Sequence, residues 1–292
     1  LSKNYYSYNN NISVYNYDFV NNLNIQATPT TKVSLGLTVQ VKDWSGPNTS
    51  ASDIFASAMN ANPVDFPVTW PAEKDDSFIR WGGKVGSANG SYLNPVGDYV
   101  RGYSSSFTNY IVANFKVNQK LDMILKGLRF SGLFSYKSYL VNTVDREGSI
   151  NQFELDQYNN ISNTYTTQIV GSEKNTALST SSTSTGNRSM YVQAIIDYAR
   201  TFGVHDINVM FLYNMDQYNT NKPADLFASL PKRRQGIAGR VSYAYDGKYL
   251  VETNFGYNGS ENFAKGKRYG FFPSVAIGYN ISAEKFWKPL EP

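Results

Sequence analysis

The chain has 292 residues, a formal net charge of +4 and no cysteine, which excludes disulfides, thiolate metal sites and cysteine nucleophiles. Aromatic residues make up 15% of the chain and charged residues only 17%, an unusual balance for a soluble enzyme. The basic residues are scattered apart from one small cluster at Lys232, Arg233 and Arg234, and the net charge is mild, so no nucleic-acid partner is predicted. No apolar run approaches the roughly 18 residues of a transmembrane helix, which leaves a β-barrel as the membrane-spanning possibility.

Nine segments alternate apolar and polar residues with the period of a β-strand that has one apolar face. In chain order their apolar positions run over 15–25, 33–41, 107–117, 128–136, 190–198, 207–213, 237–245, 249–257 and 271–279. The segments span roughly 11 to 16 residues, against about 5–6 for an ordinary strand and about 9–11 for a tilted strand that crosses a membrane. Strand length therefore favours a transmembrane barrel over a sandwich.

The connections between these segments alternate in length. Short turns are predicted at 28–31, 119–127, 203–205 and 246–248, and long loops at about 43–103 and 144–187, with shorter loops after the sixth segment and at 259–268. Tight turns on one side and long loops on the other are typical of outer-membrane barrels. We therefore predict an all-β fold, an antiparallel transmembrane β-barrel with short periplasmic turns and long extracellular loops.

One turn is predicted against its local signal. The dipeptide Asp246-Gly247 ordinarily indicates a two-residue hairpin turn. Such a turn would put the apolar faces of the flanking strands out of phase, because a slip of one residue moves every side chain to the other face. We predict a three-residue loop instead, with Tyr245 opposite Tyr249 and Tyr243 opposite Val251.

The long loops have content of their own. Residues 52–63 read as a short helix that Ser52 or Asp53 caps and Pro63 ends, and 179–187 read as a low-complexity loop tip. Four aromatic residues of the first loop are candidates for stacking on sugar rings: Trp44, Trp70, Trp81 and Tyr92. The same residues could instead form the small core of a folded loop, and both interpretations stay open.

The polar faces of the strands carry charged residues that are candidates for the barrel lumen: Arg240, Glu252, Asp197, Arg129 and Lys116. An arginine or lysine facing lipid at mid-bilayer would cost roughly 2–4 kcal/mol, so their segregation supports the assigned faces. They could contact substrate or pack against an internal plug. With one histidine and no cysteine, a conventional zinc site is excluded, and we predict no catalytic residue, no metal and no cofactor.

The segment 230–286 resembles the SusC/RagA-type TonB-linked outer-membrane transporters. The most specific part is NFGYNGSENFAKGKRYGFFPS, Asn254–Ser274, and weaker resemblances cover Tyr15–Thr38, Asp53–Val68 and Lys126–Tyr139. The resemblance implies that residues 1–292 form part of a barrel domain, about nine of about 22 strands, from the C-terminal half of a longer protein. The plug domain and the terminal strands are expected outside these residues.

The same resemblance implies a non-enzymatic function. The chain is expected to be the barrel portion of an importer of large nutrients, oligosaccharides (glycans) or peptides, in the bacterial outer membrane. The implied partners are the lipid bilayer, a SusD-like surface lipoprotein and the TonB complex, which would act through the missing N-terminal region. Two alternatives remain, a secreted soluble all-β carbohydrate-binding or adhesive module and a passive porin-like channel. The soluble module predicts that one apolar stripe is buried in a sandwich core: Val192, Ile196, Val209 and Phe211.

Overall fold

The computed structural model describes residues 5–85, 91–92, 94–174, 177–284 and 286–287. These residues form two compact units, which we call the sheet unit and the loop unit. The sheet unit comprises Tyr17–Val41, Asn109–Leu140 and Thr185–Pro292. The loop unit comprises Leu1–Asn16, Lys42–Thr108 and Val141–Ser184.

The described elements follow one another in this chain order: β1 (Ser13–Thr28), β2 (Thr31–Pro47), α1 (Ala51–Asn60), β3 (Trp81–Gly82), β4 (Lys84–Val85), β5 (Ser91–Tyr92), α2 (Pro95–Val100), β6 (Gly102–Lys120), β7 (Leu128–Glu147), β8 (Gln152–Asn159), β9 (Thr164–Ile169), β10 (Ser179–Phe202), β11 (His205–Thr220), α3 (Leu226–Ser229), β12 (Lys232–Tyr245), β13 (Tyr249–Ser260) and β14 (Tyr269–Tyr279). A single 3₁₀ turn, Ile281–Ala283, follows β14. No helix in the described part of the chain combines the length and apolar character needed to cross a membrane.

Nine of these strands form one sheet in the order β1-β2-β6-β7-β10-β11-β12-β13-β14. Each of the nine segments predicted from period-two alternation is a strand of this sheet, and the pairs from β10 to β14 are antiparallel. The sheet is open, with β1 and β14 at its edges. The predicted antiparallel β architecture is thus confirmed at the level of the sheet.

The hairpin between β12 and β13 has the predicted three-residue register. Tyr245 opposes Tyr249, and Tyr243 opposes Val251. Asp246 and Gly247 have positive φ values of 51° and 65°, and the backbone N–H of Lys248 donates to the carbonyl of Tyr245 at 2.9 Å. The Asp-Gly pair therefore adopts the φ signs of a tight turn, and Lys248 is the extra residue that keeps the apolar faces in phase.

One face of the sheet is apolar across all five strands from β10 to β14. A single row of opposed residues illustrates it: Ile196, Phe211, Gly239, Phe255 and Pro273. Ile196, Val209 and Phe211 expose 36–47% of their surface, so this stripe is not the core of a sandwich. The soluble alternative requires the stripe to be buried, and the structure contradicts that requirement.

The loop unit has its own small core. Strands β3, β8 and β9 form a three-stranded sheet, β4 pairs with β5, and α1 and α2 belong to the same unit. Trp81 is completely buried against Val100 and Ile150. Partly buried side chains close around this centre: Tyr5, Tyr6, Ile79, Val96 and Tyr99. The segments predicted as loops are therefore largely folded.

Two local predictions are wrong. Helix α1 is capped by Ser50, whose hydroxyl accepts from the backbone N–H of Asp53, so Ser52 and Asp53 lie in the first turn. Residues 179–187 are the first part of β10 and not a loop tip. Low complexity suggested a mobile segment, but its threonines favour extended backbone. Gly186 is also fixed by backbone and side-chain hydrogen bonds to Asn221.

A largely buried ion pair in the loop unit links its stability to pH. Arg80 is 9% exposed and contacts Asp76 at 2.5 Å and Glu73 at 2.7 Å. The hydrogen bond from Arg80 holds the pKa of Asp76 below its ordinary value of 3.8. A lowered carboxyl pKa contributes stability that is complete above the ordinary value and is lost as the pH falls through the lowered one.

Asp76→Asn removes the charged partner of Arg80. We therefore expect the variant to be less stable at neutral pH and to lack the part of the stability that the unmodified protein loses on acidification. The measurement is tryptophan fluorescence of the protein against pH, with the acid midpoint as readout. Asp75→Asn, a change to the exposed neighbouring carboxylate, is the matched control and should leave the midpoint where it is. An unchanged acid midpoint in Asp76→Asn would contradict the assignment.

Candidate functional site on the polar face of the sheet

Two of the charged residues predicted to share the polar face are in direct contact. Arg129 on β7 and Asp197 on β10 form an ion pair, with Nε and Oδ2 2.6 Å apart. The contact exists because β7 and β10 are neighbours in the sheet. Half of the Arg129 side chain is exposed, so the pair fixes the two side chains while contributing only about 0–1 kcal/mol to stability.

Arg240 lies at the centre of the same face, opposite Met210 and Asn254. Its Nε atom is buried and has no hydrogen-bond partner among the described residues. Glu252 accepts a hydrogen bond from the side-chain amide of Asn254 at 2.9 Å. Lys116 lies exposed on β6. An unsatisfied buried N–H costs about 1–3 kcal/mol, which makes Arg240 the position on this face most in need of a further partner.

A groove of about 450 Å³ lies on the polar face at the end of the sheet where the β11–β12 and β13–β14 connections leave. Its floor is a row in which Asn214 opposes Gly236 and Gly236 opposes Asn258. A side chain at position 236 would collide with the Asn258 amide and crowd that of Asn214, so glycine leaves room for both amides beside β12. The floor therefore presents two neutral amides, each with donors and an acceptor.

Charged and aromatic side chains complete this polar groove. Asp216 and Arg234 oppose each other and contact at 3.3 Å, and Lys267 and Arg268 add positive charge from the β13–β14 loop. Phe272 points from β14 into the groove with 62% of its surface exposed. The arrangement suits a polar ligand that offers hydrogen-bonding groups and one apolar face.

Sequence reasoning missed Phe272 and the two amides. Alternation assigned Phe271 to the apolar face, and the structure places Phe272 on the opposite one, opposite Gly256. The available signal was the consecutive pair Phe271-Phe272, because the second phenylalanine stands at a position where alternation predicts a polar residue. The row of Asn214 and Asn258 had no sequence signal, since it depends on the register of three strands.

The aromatic candidates of the first loop lie in the loop unit. Trp81 is fully buried and forms the core. Trp70 is half-buried, and its indole N–H donates to the carbonyl of Phe153 at 2.8 Å. Trp44 is half-buried and lines an apolar groove with Ile54 and Phe55. The side chain of Tyr92 lies outside the described residues. In the described residues no cluster of three or more His, Cys, Asp or Glu could hold a metal ion.

The chain is similar to known proteins in both its sequence and its fold. The chain is 44% identical over 52 residues to the TonB-dependent receptor P3 of Formosa agariphila, a match that covers 18% of this chain and 5% of that protein. It is 40% identical over 114 residues to the TonB-dependent receptor SusC of Bacteroides thetaiotaomicron, covering 32% of this chain and 11% of SusC. No family model matches the chain.

The fold is similar to that of the RagAB peptide transporter. The TM-score is 0.58 at 11% identity, and the match covers 94% of this chain and 31% of that one. The chain therefore corresponds to about a third of the transporter chain with the similar fold, and its sequence matches span 5–11% of the curated relatives. Sequence and fold agree, and the predicted resemblance to the SusC/RagA-type TonB-linked outer-membrane transporters is confirmed.

Proposed function

We propose that this chain supplies nine strands of a larger barrel, of about 22 strands, in a TonB-dependent importer of the bacterial outer membrane. The observation that carries the proposal is that the apolar positions of neighbouring strands all lie on the same face of the sheet. From β10 to β14 the same face carries apolar side chains on every strand, while the other face mixes polar and small residues with a few large apolar ones, such as Ile195, Leu212 and Phe272. A barrel that crosses a bilayer requires a continuous apolar face on every strand.

In this proposal the apolar face contacts hydrocarbon and the polar face lines the interior. The open edges at β1 and β14 would pair with further strands, because unpaired backbone groups cannot remain in hydrocarbon. Arg240, half-buried on the polar face, would then face a plug domain or a passing substrate. The long connections would lie outside the cell, with the loop unit among them.

The proposed cargo is a large polar nutrient, an oligosaccharide or a peptide. The polar groove supports this class, because paired amides and an exposed aromatic ring suit both kinds of molecule. One similar structure is described as a peptide transporter. A SusD-like surface lipoprotein and the TonB complex are the proposed partners, by similarity to SusC and RagAB.

The test uses the full-length protein in its source cells. An antibody to residues 259–268 should detect a detergent-requiring outer-membrane band whose mobility shifts on heating, as expected for a closed barrel. Growth on the imported nutrient should require both this protein and an intact TonB complex. Uptake that persists without TonB would favour a passive channel, and a soluble band near 33 kDa, the mass of this chain, would refute the proposal.

Phe272 provides a direct test of the polar groove. Phe272→Ala is expected to weaken cargo binding by about two- to twelvefold, the loss typical of one aromatic contact worth about 0.5–1.5 kcal/mol. Binding is measured by calorimetry on the full-length protein in detergent. Phe271→Ala removes the same ring from the opposite face and should leave the affinity of the folded fraction unchanged. Equal effects of the two variants would count against the groove as a cargo site.

A further inference from the structure

A second groove, of about 290 Å³, lies on the apolar face at the same end of the sheet. We call it the rim groove. One wall is apolar, with Met190, Val192 and Met215. The opposite wall is polar, with Gln235 and Arg233. The rim groove therefore lies where the apolar stripe ends and the first polar residues of the same face begin.

The strand register fixes which face these side chains share. Met190 opposes Gln217, which opposes Arg233, and the next row toward the sheet centre is Val192, Met215 and Gln235. Arg234, the next residue along β12, alternates to the other face and pairs with Asp216, and both of these side chains also line the edge of the rim groove. Of the two adjacent arginines, only Arg233 lies in the rows that continue the apolar stripe.

Arg233 has unused hydrogen-bonding capacity in the rim groove. Its Nε donates to Gln217 at 3.0 Å, and its contact with Glu261 is long, at 3.7 Å. About half of the side chain is exposed, and a guanidinium carries five N–H donors. Arg268 also lines the rim groove, and Arg188 lies exposed on the same face of β10. The rim groove and its edge therefore carry four arginines, Arg188, Arg233, Arg234 and Arg268, against the two carboxylates of Asp216 and Glu261.

An aromatic pair marks the boundary between the two walls. Tyr257 and Tyr269 stack with ring centroids 5.1 Å apart, and Tyr269 accepts a hydrogen bond from the side-chain amide of Gln235. Tyrosines with an apolar ring and a hydrogen-bonded hydroxyl are enriched at the level of lipid headgroups. A molecule that fits this groove has an acyl part beside a negatively charged group.

We propose that the rim groove binds the phosphate-bearing headgroup of an anionic lipid in the surrounding leaflet. Arg233 contacts the phosphate, since a guanidinium matches phosphate oxygens in a bidentate geometry. The methionine and valine side chains contact the first part of the acyl chain. This inference rests on the proposed function, because it requires the apolar face to contact a bilayer.

The test uses the full-length protein reconstituted in phosphatidylcholine nanodiscs. Phosphatidylglycerol with the same acyl chains is titrated in, and bound lipids are counted by native mass spectrometry. Arg233→Gln is expected to weaken retention of phosphatidylglycerol by about tenfold, the loss of one charge-assisted hydrogen bond. Lys232→Gln removes a positive charge from an exposed position on the other face of β12, outside the rim groove, and should retain the lipid as the unmodified protein does.

The possible outcomes distinguish failure of the lipid site from failure of the proposed importer function. A protein that folds in nanodiscs but does not prefer phosphatidylglycerol, or that loses it equally in both variants, overturns the lipid site and leaves the importer proposal standing. Displacement of the lipid by inorganic phosphate at equal concentration would overturn the assignment to a lipid. A protein that does not enter the bilayer at all overturns both proposals.

Discussion

Val241→Arg is expected to lower the fraction of the protein that assembles in the outer membrane. Val241 lies mid-strand on the apolar face, between Val209 on β11 and Thr253 on β13. An arginine facing lipid near the bilayer midplane costs about 2–4 kcal/mol, so the folding equilibrium constant should fall by about 30-fold or more. The measurement is the heat-modifiable, folded fraction of the protein in isolated outer membranes.

The adjacent residue provides the matched control. Ser242 occupies the polar face, opposite Asn208 and Glu252, where an added arginine meets polar neighbours and a carboxylate. Ser242→Arg should therefore assemble nearly as well as the unmodified protein. If both arginine variants assemble equally, the apolar face does not contact hydrocarbon and the proposed placement in a bilayer is wrong.

Trp81→Ala is expected to unfold the loop unit. Trp81 has no exposed surface, and its ring packs 4.9 Å from that of Tyr5 and against Ile150. Gly97 also fits closely, since a side chain there would contact both Ile150 and the Trp81 ring. Removing a buried aromatic side chain typically costs about 3–5 kcal/mol, a large part of the stability of a unit with so small a core.

Hydrogen exchange measured by mass spectrometry provides the readout. Peptides that cover β3 and β8 should lose protection in Trp81→Ala, whereas peptides from β11 to β13 of the sheet unit should keep theirs. Phe55→Ala, a deletion of similar size at a side chain that is 67% exposed on α1, is the control and should leave protection unchanged. Full protection in Trp81→Ala would mean that the loop unit does not depend on this core.

The strands and their faces could be predicted because the signal is local. Alternation is read within a single segment, and the in-phase requirement of one apolar face selected the register at Asp246-Gly247 without any long-range information. Even so, alternation did not identify Phe272, because two adjacent phenylalanines satisfy both faces at once. The first part of β10, from Ser179, was also missed, because its low-complexity composition does not show the alternation that identifies a strand.

The sequence by itself determined nine strands, the apolar face of each and the resemblance to SusC/RagA-type transporters. Only the tertiary structure decided which polar residues meet. Arg129 contacts Asp197 because β7 and β10 pair across the intervening loop, and Trp81 becomes a core residue because Ile150 packs on it from a distant segment. Period-two alternation indicates which face of a sheet a side chain occupies. Which residues meet across a long connection depends on how that connection folds back, and no local pattern encodes this.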